Sequence, residues 1–411
     1  MHILYLSQYF PPEAGATQTR AYEMARNFVR LGHPTTILTE FPNHPSGVIP
    51  LQYHGKIYER SDLDGIDVLR VWVKASPIKN FRNRMLFYLT FMVNATLMGL
   101  FLAHDHYDLI YASSPPLFVG GAALVLSYLK RTPLVFEVRD LWPESAVALG
   151  EISNPQAIAW ATRLEEACYR KARLIIVVTQ GIQARLIERN IPLRKVKLIP
   201  NGANINLFQF RSEGRERIRT ELKLSNKFIA IYAGIHGIAQ GLENLIEAAN
   251  QLREAKDIHF LMIGEGPKKA DIAELAARYA LSNLTMLPEQ PREDMPDYLS
   301  AADVAIIPLR NLDLFKGVLP SKLFDAWACQ RPVLLSIVDG EARHVLELAG
   351  GGICVPPEDP TLIAEALIVL KNQPAERGAM GLRGRFYTVD HYSRQSLARD
   401  LADLLGDMVA V

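Results

Sequence analysis

Residues 228–253 read FIAIYAGIHGIAQGLENLIEAANQLR. The first six form a short apolar run of β-branched and aromatic side chains, which predicts a buried strand. Gly234, Gly237 and Gly241 follow within eight positions. Leu245, Ile246, Ala249 and Leu252 then fall on one face of a helix over 242–253. Strand, glycine-rich turn and helix in this order open a parallel α/β unit.

The alternation runs outward in both directions. Upstream, strands are expected at 2–7, 35–39, 67–73, 109–113, 134–138 and 174–178. A helix is expected at 17–31, with Ala21, Met24, Ala25, Phe28 and Leu31 on one face and Gly32 ending it. Downstream, strands are expected at 258–263, 304–307 and 333–335, and a last helix at 393–408. Ile199-Pro-Asn-Gly202 interrupts the pattern with a turn signal. The chain therefore reads as α/β, with two consecutive Rossmann-like α/β/α domains, a boundary near 200–210, and a cleft across which the domains face each other. Ligands of open parallel sheets bind beyond the carboxyl ends of the strands. Function is to be read in the loops that follow them.

Composition narrows the class. The 411 residues are 49% hydrophobic and 22% charged, with 45 basic and 44 acidic residues and a net charge of +1. That balance excludes a disordered chain and gives no support to a nucleic-acid partner, whose binding needs a basic footprint. Cys168, Cys329 and Cys354 lie far apart, which points to a reducing compartment without a disulfide framework. The first apolar run is short and lacks a basic start, so no export signal is expected. Met85 to Ala103 is apolar except for Thr90, Asn94 and Thr96, and follows Lys79, Arg82 and Arg84. Three readings stand: a long buried helix of the first domain, a helix lying on an anionic membrane surface with the basic cluster on the headgroups, or a true membrane span.

Five loops carry candidate chemistry. In 10–20 (FPPEAGATQTR), Gly15 and the amides of Ala16 and Thr17 stand near a helix N-terminus, which favours an anion. The pattern is not GxGxxG, and an ordinary turn is the alternative. In 137–145 (EVRDLWPES), Arg139 and Asp140 either reach sugar hydroxyls or a phosphate, or pair to hold the loop. The 234–241 loop suits a backbone that cradles phosphates, or is a glycine-rich turn without a ligand. In 264–269 (GEGPKK), Glu265 stands at the cleft, or the segment is a plain turn. In 316–325 (KGVLPSKLFD), Ser321 reads as an N-cap. The amides of Val318 and Leu319 and the Lys322 ammonium would hold a diphosphate, and Asp325 would accept from two ribose hydroxyls. The plain alternative is a capped helix with a solvated acid.

Four short motifs, Ile199-Pro-Asn-Gly202, Gly264-Glu-Gly-Pro267, YLSAAD at 298–303 and LPSKLFD at 319–325, occur in this order across the two halves. Together they resemble the retaining glycosyltransferases of family 4 (GT4), which have the GT-B fold, and the resemblance covers nearly the whole chain. YLSQYFPPE at 5–13 and VRDLWPE at 138–144 look like the branch that builds bacterial polysaccharides, such as fucosaminyltransferase-like enzymes. The resemblance implies an acceptor-binding domain at 1–204, a nucleotide-sugar-binding domain at 205–385, and a C-terminal helix at 386–411 crossing back to the first domain.

It also implies roles. Leu287, Pro288 and Glu289 would place backbone groups on the base, and Asp325 would hold the ribose. Gly237, Val318, Leu319 and Lys322 would contact the diphosphate, with Glu265 and Gly317 in the same sugar-donor site. Gly15 and Ala16 would close over the phosphates. Arg139 and Asp140 occupy the position where many relatives carry a histidine and an aspartate facing the sugar; with Lys322 they are the catalytic candidates. The family commonly shows two glutamates separated by seven residues; here Gly317 and Asp325 stand at those positions. Ile235 and Gln240 replace a basic pair common in relatives.

The implied reaction moves a hexose from a nucleotide sugar, with UDP-glucose and UDP-N-acetylhexosamines foremost, to a glycan or lipid-linked acceptor. The configuration is retained by front-face substitution, with no cofactor and no metal. Asp62-Leu-Asp64 is the one tempting DxD and reads as a turn. The expected location is cytoplasmic, at the inner face of the membrane if the 85–103 helix touches lipid. Two other readings are a UDP-sugar 2-epimerase of GT-B shape and, because of Gly317, a non-catalytic nucleotide-sugar-binding subunit. The missing GxGxxG argues against a Rossmann oxidoreductase.

Overall fold

The computed structural model describes every residue except 14, 45, 79, 104, 105, 149, 151 and 411. The chain divides into two compact units, one of residues 1–200 with 395–411 and one of residues 201–394. The division thus falls at Pro200 rather than at 204, and the return to the first unit at Gln395 rather than at 386.

The first unit holds β1 (Ile3–Leu6), β2 (Thr35–Glu40), β3 (Tyr58–Leu63), β4 (Ile66–Val71), β5 (Leu109–Ser114), β6 (Leu134–Val138), β7 (Leu174–Val177) and β8 (Val196–Leu198). Their order is β3-β4-β2-β1-β5-β6-β7-β8, parallel throughout except for β3, which runs antiparallel to β4. Strand periodicity places Leu4 and Leu6 in one core and Ile3 and Tyr5 in the other, so the sheet is buried on both faces. Helices Phe81–Phe101, Phe118–Leu129 and Pro155–Lys171 cover the first face. Ala16–Arg30 and the C-terminal Arg394–Ala410 cover the second, the latter through Ala398, Leu401 and Leu405. Each leucine so buried contributes about 1.5–3 kcal/mol, which fastens the last helix to this unit.

Helix Phe81–Phe101 starts where the Asn80 side chain accepts from the Asn83 amide at 2.8 Å. Of its 21 residues only Phe91, Ala95 and Gly99 are buried. A Cβ at Gly99 would come within 2.8 Å of Leu126, so this row packs closely on the neighbouring helix. Leu89, Val93, Leu97 and Phe101 form a second row and are exposed. The reading of a wholly buried helix is corrected by this. Apolar residues stand on all faces of the segment, so periodicity gave no sign of which row would be covered. Lys79 of the basic cluster lies outside the described residues.

The second unit holds β9 (Phe228–Ala233), β10 (Ile258–Ile263), β11 (Leu284–Leu287), β12 (Val304–Pro308), β13 (Val333–Ser336) and β14 (Gly352–Val355). All pairs are parallel, in the order β11-β10-β9-β12-β13-β14. The winding reverses between β9 and β12, which are neighbours in the sheet but not in sequence.

Candidate active site

That reversal point is where open parallel sheets bind ligands. The loops after β9 and β12 meet there. Gly234 follows β9 with φ +147°, and a Cβ on it would collide with the end of the Lys322 side chain. Lys322 therefore runs across bare backbone. Its ammonium lies 3.3 Å from the Tyr232 hydroxyl and 4.9 Å from the centre of that ring. Among the described residues it forms no ion pair. Burial pushes its pKa down to about 8, against the opposing pull of Asp325 one turn on. A half-buried cation without a carboxylate partner is a place prepared for an anion.

The loops after β9 and β10 interlock beside it. Gly264 has φ +149°, and a Cβ there would strike the Gly234 carbonyl; one on Gly266 would lie 2.5 Å from the His236 carbonyl oxygen. Only glycine permits that approach. The His236 amide donates to the Glu265 carbonyl at 2.8 Å, and the Lys268 amide to the His236 carbonyl at 2.9 Å. The His236 ring is fully buried with both nitrogens unpartnered. Burial and then Lys269 lower its pKa to about 4, so it is neutral at pH 7. Arg310, after β12, braces the turn Ile238–Gln240: its Nε donates to the Ile238 carbonyl at 2.7 Å and its amide to that of Ala239 at 2.9 Å. It also pairs with Glu243.

In the first unit, Gly15 precedes helix Ala16–Arg30 with φ +144°, and neither it nor Ala16 is buried. No side chain caps this helix start. Glu13 fixes the loop instead, accepting from the amides of Asn43 at 2.6 Å and His44 at 2.7 Å. Glu137, at the end of β6, is wholly buried and accepts from Arg20, Tyr111 and Ser113 at 2.9, 2.7 and 2.6 Å. Burial would raise its pKa, but Arg20 and Arg139 outweigh that and hold it below the ordinary value.

Residues 15–202 match the glycosyl transferase 4-like domain, and residues 214–385 match glycosyl transferases group 1. This chain belongs to the GT4 glycosyltransferases. The putative colanic acid biosynthesis glycosyl transferase WcaI of Escherichia coli K12 is 25% identical, over 92% of this chain and 95% of its own length. The α-D-kanosaminyltransferase of Streptomyces kanamyceticus is also 25% identical, over 92% and 96%. Among solved structures, sucrose-phosphate synthase of Thermosynechococcus elongatus superposes with a TM-score of 0.78 at 19% identity, covering 99% of each chain. Anabaena HepE, solved with UDP-glucose, gives 0.74 at 16% identity, over 99% and 100%. These likenesses give the GT-B fold.

Within this glycosyltransferase the predicted sugar-donor residues gather unevenly. Lys322 and Asp325 share helix Lys322–Ala328, with Gly237 and Glu265 in the interlocked loops. Glu265 is ion-paired to Lys269 at 2.5 Å, so its carboxylate is already engaged. Gly237 is extended, φ −102°, with Gln240 Oε1 over it. The Leu287 carbonyl accepts from the Gly264 amide at 3.2 Å and that of Pro288 from Gln290 Nε2 at 3.0 Å, while Glu289 is exposed. Gly317 closes the turn Asp313–Gly317. The Val318 amide is engaged by Phe315 at 3.3 Å, whereas the Leu319 amide makes no hydrogen bond among the described residues. Ser321 makes no side-chain cap, because its own backbone is already helical.

Arg139 is turned inward: it donates to Thr17 Oγ1 at 3.0 Å and the Pro115 carbonyl at 3.3 Å, and lies 3.8 Å from Glu137. Asp140 accepts from Ser145 at 2.8 Å. Asp64, at φ +54°, and Gly65 form the β3–β4 turn, and Asp62, in β3, accepts from the Gly65 amide. Sequence reasoning missed Tyr232, His236 and Arg310. A titratable ring inside a glycine-rich loop was the available signal for His236.

Proposed function

We propose that this chain is a metal-independent, retaining hexosyltransferase of polysaccharide biosynthesis. It takes a UDP-sugar, such as UDP-glucose or a UDP-N-acetylhexosamine, and delivers the sugar to a glycan or lipid-linked acceptor in the cytoplasm. The observation that carries this is the Lys322 ammonium, held over Gly234 and the Tyr232 ring without a carboxylate partner. As the bond between the sugar C1 and the diphosphate breaks, negative charge collects on the leaving phosphate. A preorganised cation and the Leu319 amide stabilise that charge. The acceptor oxygen bonds to C1 from the same face, and its proton passes to the departing phosphate oxygen. In this scheme Lys322 does the work usually given to a metal, Asp325 holds the ribose, and Arg139 and Asp140 order the loop after β6.

The test is a thermal-shift screen with UDP, GDP, ADP, dTDP and NAD in EDTA, followed by NMR of the anomeric configuration of any product. A ligand of the native state stabilises by RT ln(1 + [L]/Kd). UDP alone is expected to raise Tm, and the product to keep the configuration of the sugar donor. An inverted product, or a shift that requires a divalent metal, contradicts the proposal.

A further inference from the structure

We propose that the helix-covered face of the first unit opposite helix Ala16–Arg30 is a docking surface for an anionic lipid bilayer. Three helices build this layer, and each turns apolar side chains outward. On Phe81–Phe101 the outward row is Leu89, Val93, Leu97 and Phe101, exposed at 36, 50, 41 and 63%. On Phe118–Leu129, Tyr128 and Leu129 stand 62 and 60% exposed, and on Pro155–Lys171 Trp160 is 64% exposed. Scattered single leucines on a surface need no explanation; a four-residue row beside further exposed aromatic and apolar side chains on the adjacent helices does.

The first two helices are neighbours running side by side. The Tyr88 ring stacks on Phe118 at 5.7 Å, and Gly99 packs on Leu126. Beyond their far ends the Lys130 ammonium reaches the Ala103 carbonyl at 2.7 Å. The third is joined to the second by Lys171, whose ammonium lies 4.1 Å over the Tyr128 ring.

Charge selects the occupant. Segments 81–101 and 118–131 contain Arg82, Arg84, Lys130 and Arg131 and no aspartate or glutamate. The cations stand at the ends of the two helices, with the apolar rows between them. Basic residues near an anionic leaflet contribute about 1 kcal/mol each, and exposed Trp and Tyr suit the headgroup level. A protein partner would be expected to present carboxylates to those ends; a lipid surface supplies the same charge without needing a matching shape. The helix does not span. Its Phe91, Ala95, Gly99 row is packed on protein, and Asn94 donates to the Trp72 carbonyl at 2.7 Å. At about 1.5 Å per residue it lies as a rod some 30 Å long along the surface. The inference bears on the proposed function only through the acceptor: an enzyme held on lipid is placed to meet a lipid-linked one.

The experiment is flotation of the intact protein with phosphatidylcholine vesicles, with and without phosphatidylglycerol. Wild type is expected to float only with the anionic vesicles, with a blue shift of Trp fluorescence. Val93→Glu/Leu97→Glu and Arg82→Glu/Arg131→Glu are each expected to lower the bound fraction about tenfold. Both pairs are exposed, so Tm and UDP affinity should be unchanged, which separates failure here from failure of the sugar-donor reading. Equal flotation with neutral vesicles, no flotation, or flotation undiminished in both variants overturns the proposal. So does a wild-type dimer in sedimentation that Val93→Glu/Leu97→Glu abolishes, which would give the face to a second copy of the chain.

Discussion

At the scale of single residues, Lys322 is the group whose charge has the largest consequence. With its pKa lowered to about 8 by burial, it is charged below that pH, and the burial penalty is then fully present. The penalty is relieved as pH rises from about 8 toward the ordinary lysine value. A bound diphosphate reverses the preference by stabilising the ammonium. UDP affinity is therefore expected to be nearly level below about pH 8 and to fall above it by up to about tenfold per pH unit. In Lys322→Arg calorimetry should give a level profile over the same range; a level profile in wild type would contradict the assignment. Glu137 behaves oppositely. Its lowered pKa contributes stability above the ordinary carboxylate value that is lost as pH falls through the folded one. Arg20→Ala leaves that carboxylate with the more distant Arg139 as its cation, beside the Tyr111 and Ser113 hydroxyls, and is expected to cost about 3–5 kcal/mol in urea unfolding. The candidate site was legible where residues sat in local motifs: glycines 234, 237, 264 and 266, and Lys322 with Asp325. It was not legible where partners are remote. Arg139 looked available because Thr17, which it grips, lies 122 residues away. Tyr232 looked like an ordinary strand residue because Lys322 lies 90 residues away.

At the scale of elements, the interlocked loops after β9 and β10 make a sharp prediction. Gly264→Ala puts a methyl group into the Gly234 carbonyl and strains a φ of +149°. It should destabilise by at least about 1–3 kcal/mol and abolish UDP binding. Gly32→Ala, at φ +82° with nothing near its Cβ, is the control and should leave UDP affinity unchanged. Equal UDP affinity in Gly264→Ala would mean that the loops do not shape the site. Buried parallel strands announce themselves as apolar runs, so β1, β2, β5, β6, β7, β9 and β10 stood out in the sequence. β3 is Tyr-Glu-Arg-Ser-Asp-Leu, with none of its residues buried, and gave no such run. β8, β11 and β14 are also edge or near-edge strands, three or four residues long and mostly half-exposed. Helix Phe81–Phe101 was visible as an element but not as a surface, because its covered and uncovered rows have the same composition.

At the scale of the whole molecule, each unit is built on its own sheet, parallel except for β3, and the two proposals fall on different units. The first carries the apolar, cation-flanked helix layer, and the second carries the cradle at the reversal between β9 and β12. The two proposals are separable by mutation, since Val93 and Leu97 lie in one unit and Lys322 in the other. The central claim is that the second unit binds a nucleoside diphosphate through Lys322 without a metal. Calorimetric titration of UDP into wild type and Lys322→Ala, both in EDTA, tests it most directly. The account predicts binding by wild type and a loss of about 10²-fold or more in Lys322→Ala, at a Tm showing that the fold is intact. UDP affinity that is unchanged in Lys322→Ala, or that appears in wild type only when a divalent metal is restored, would contradict it.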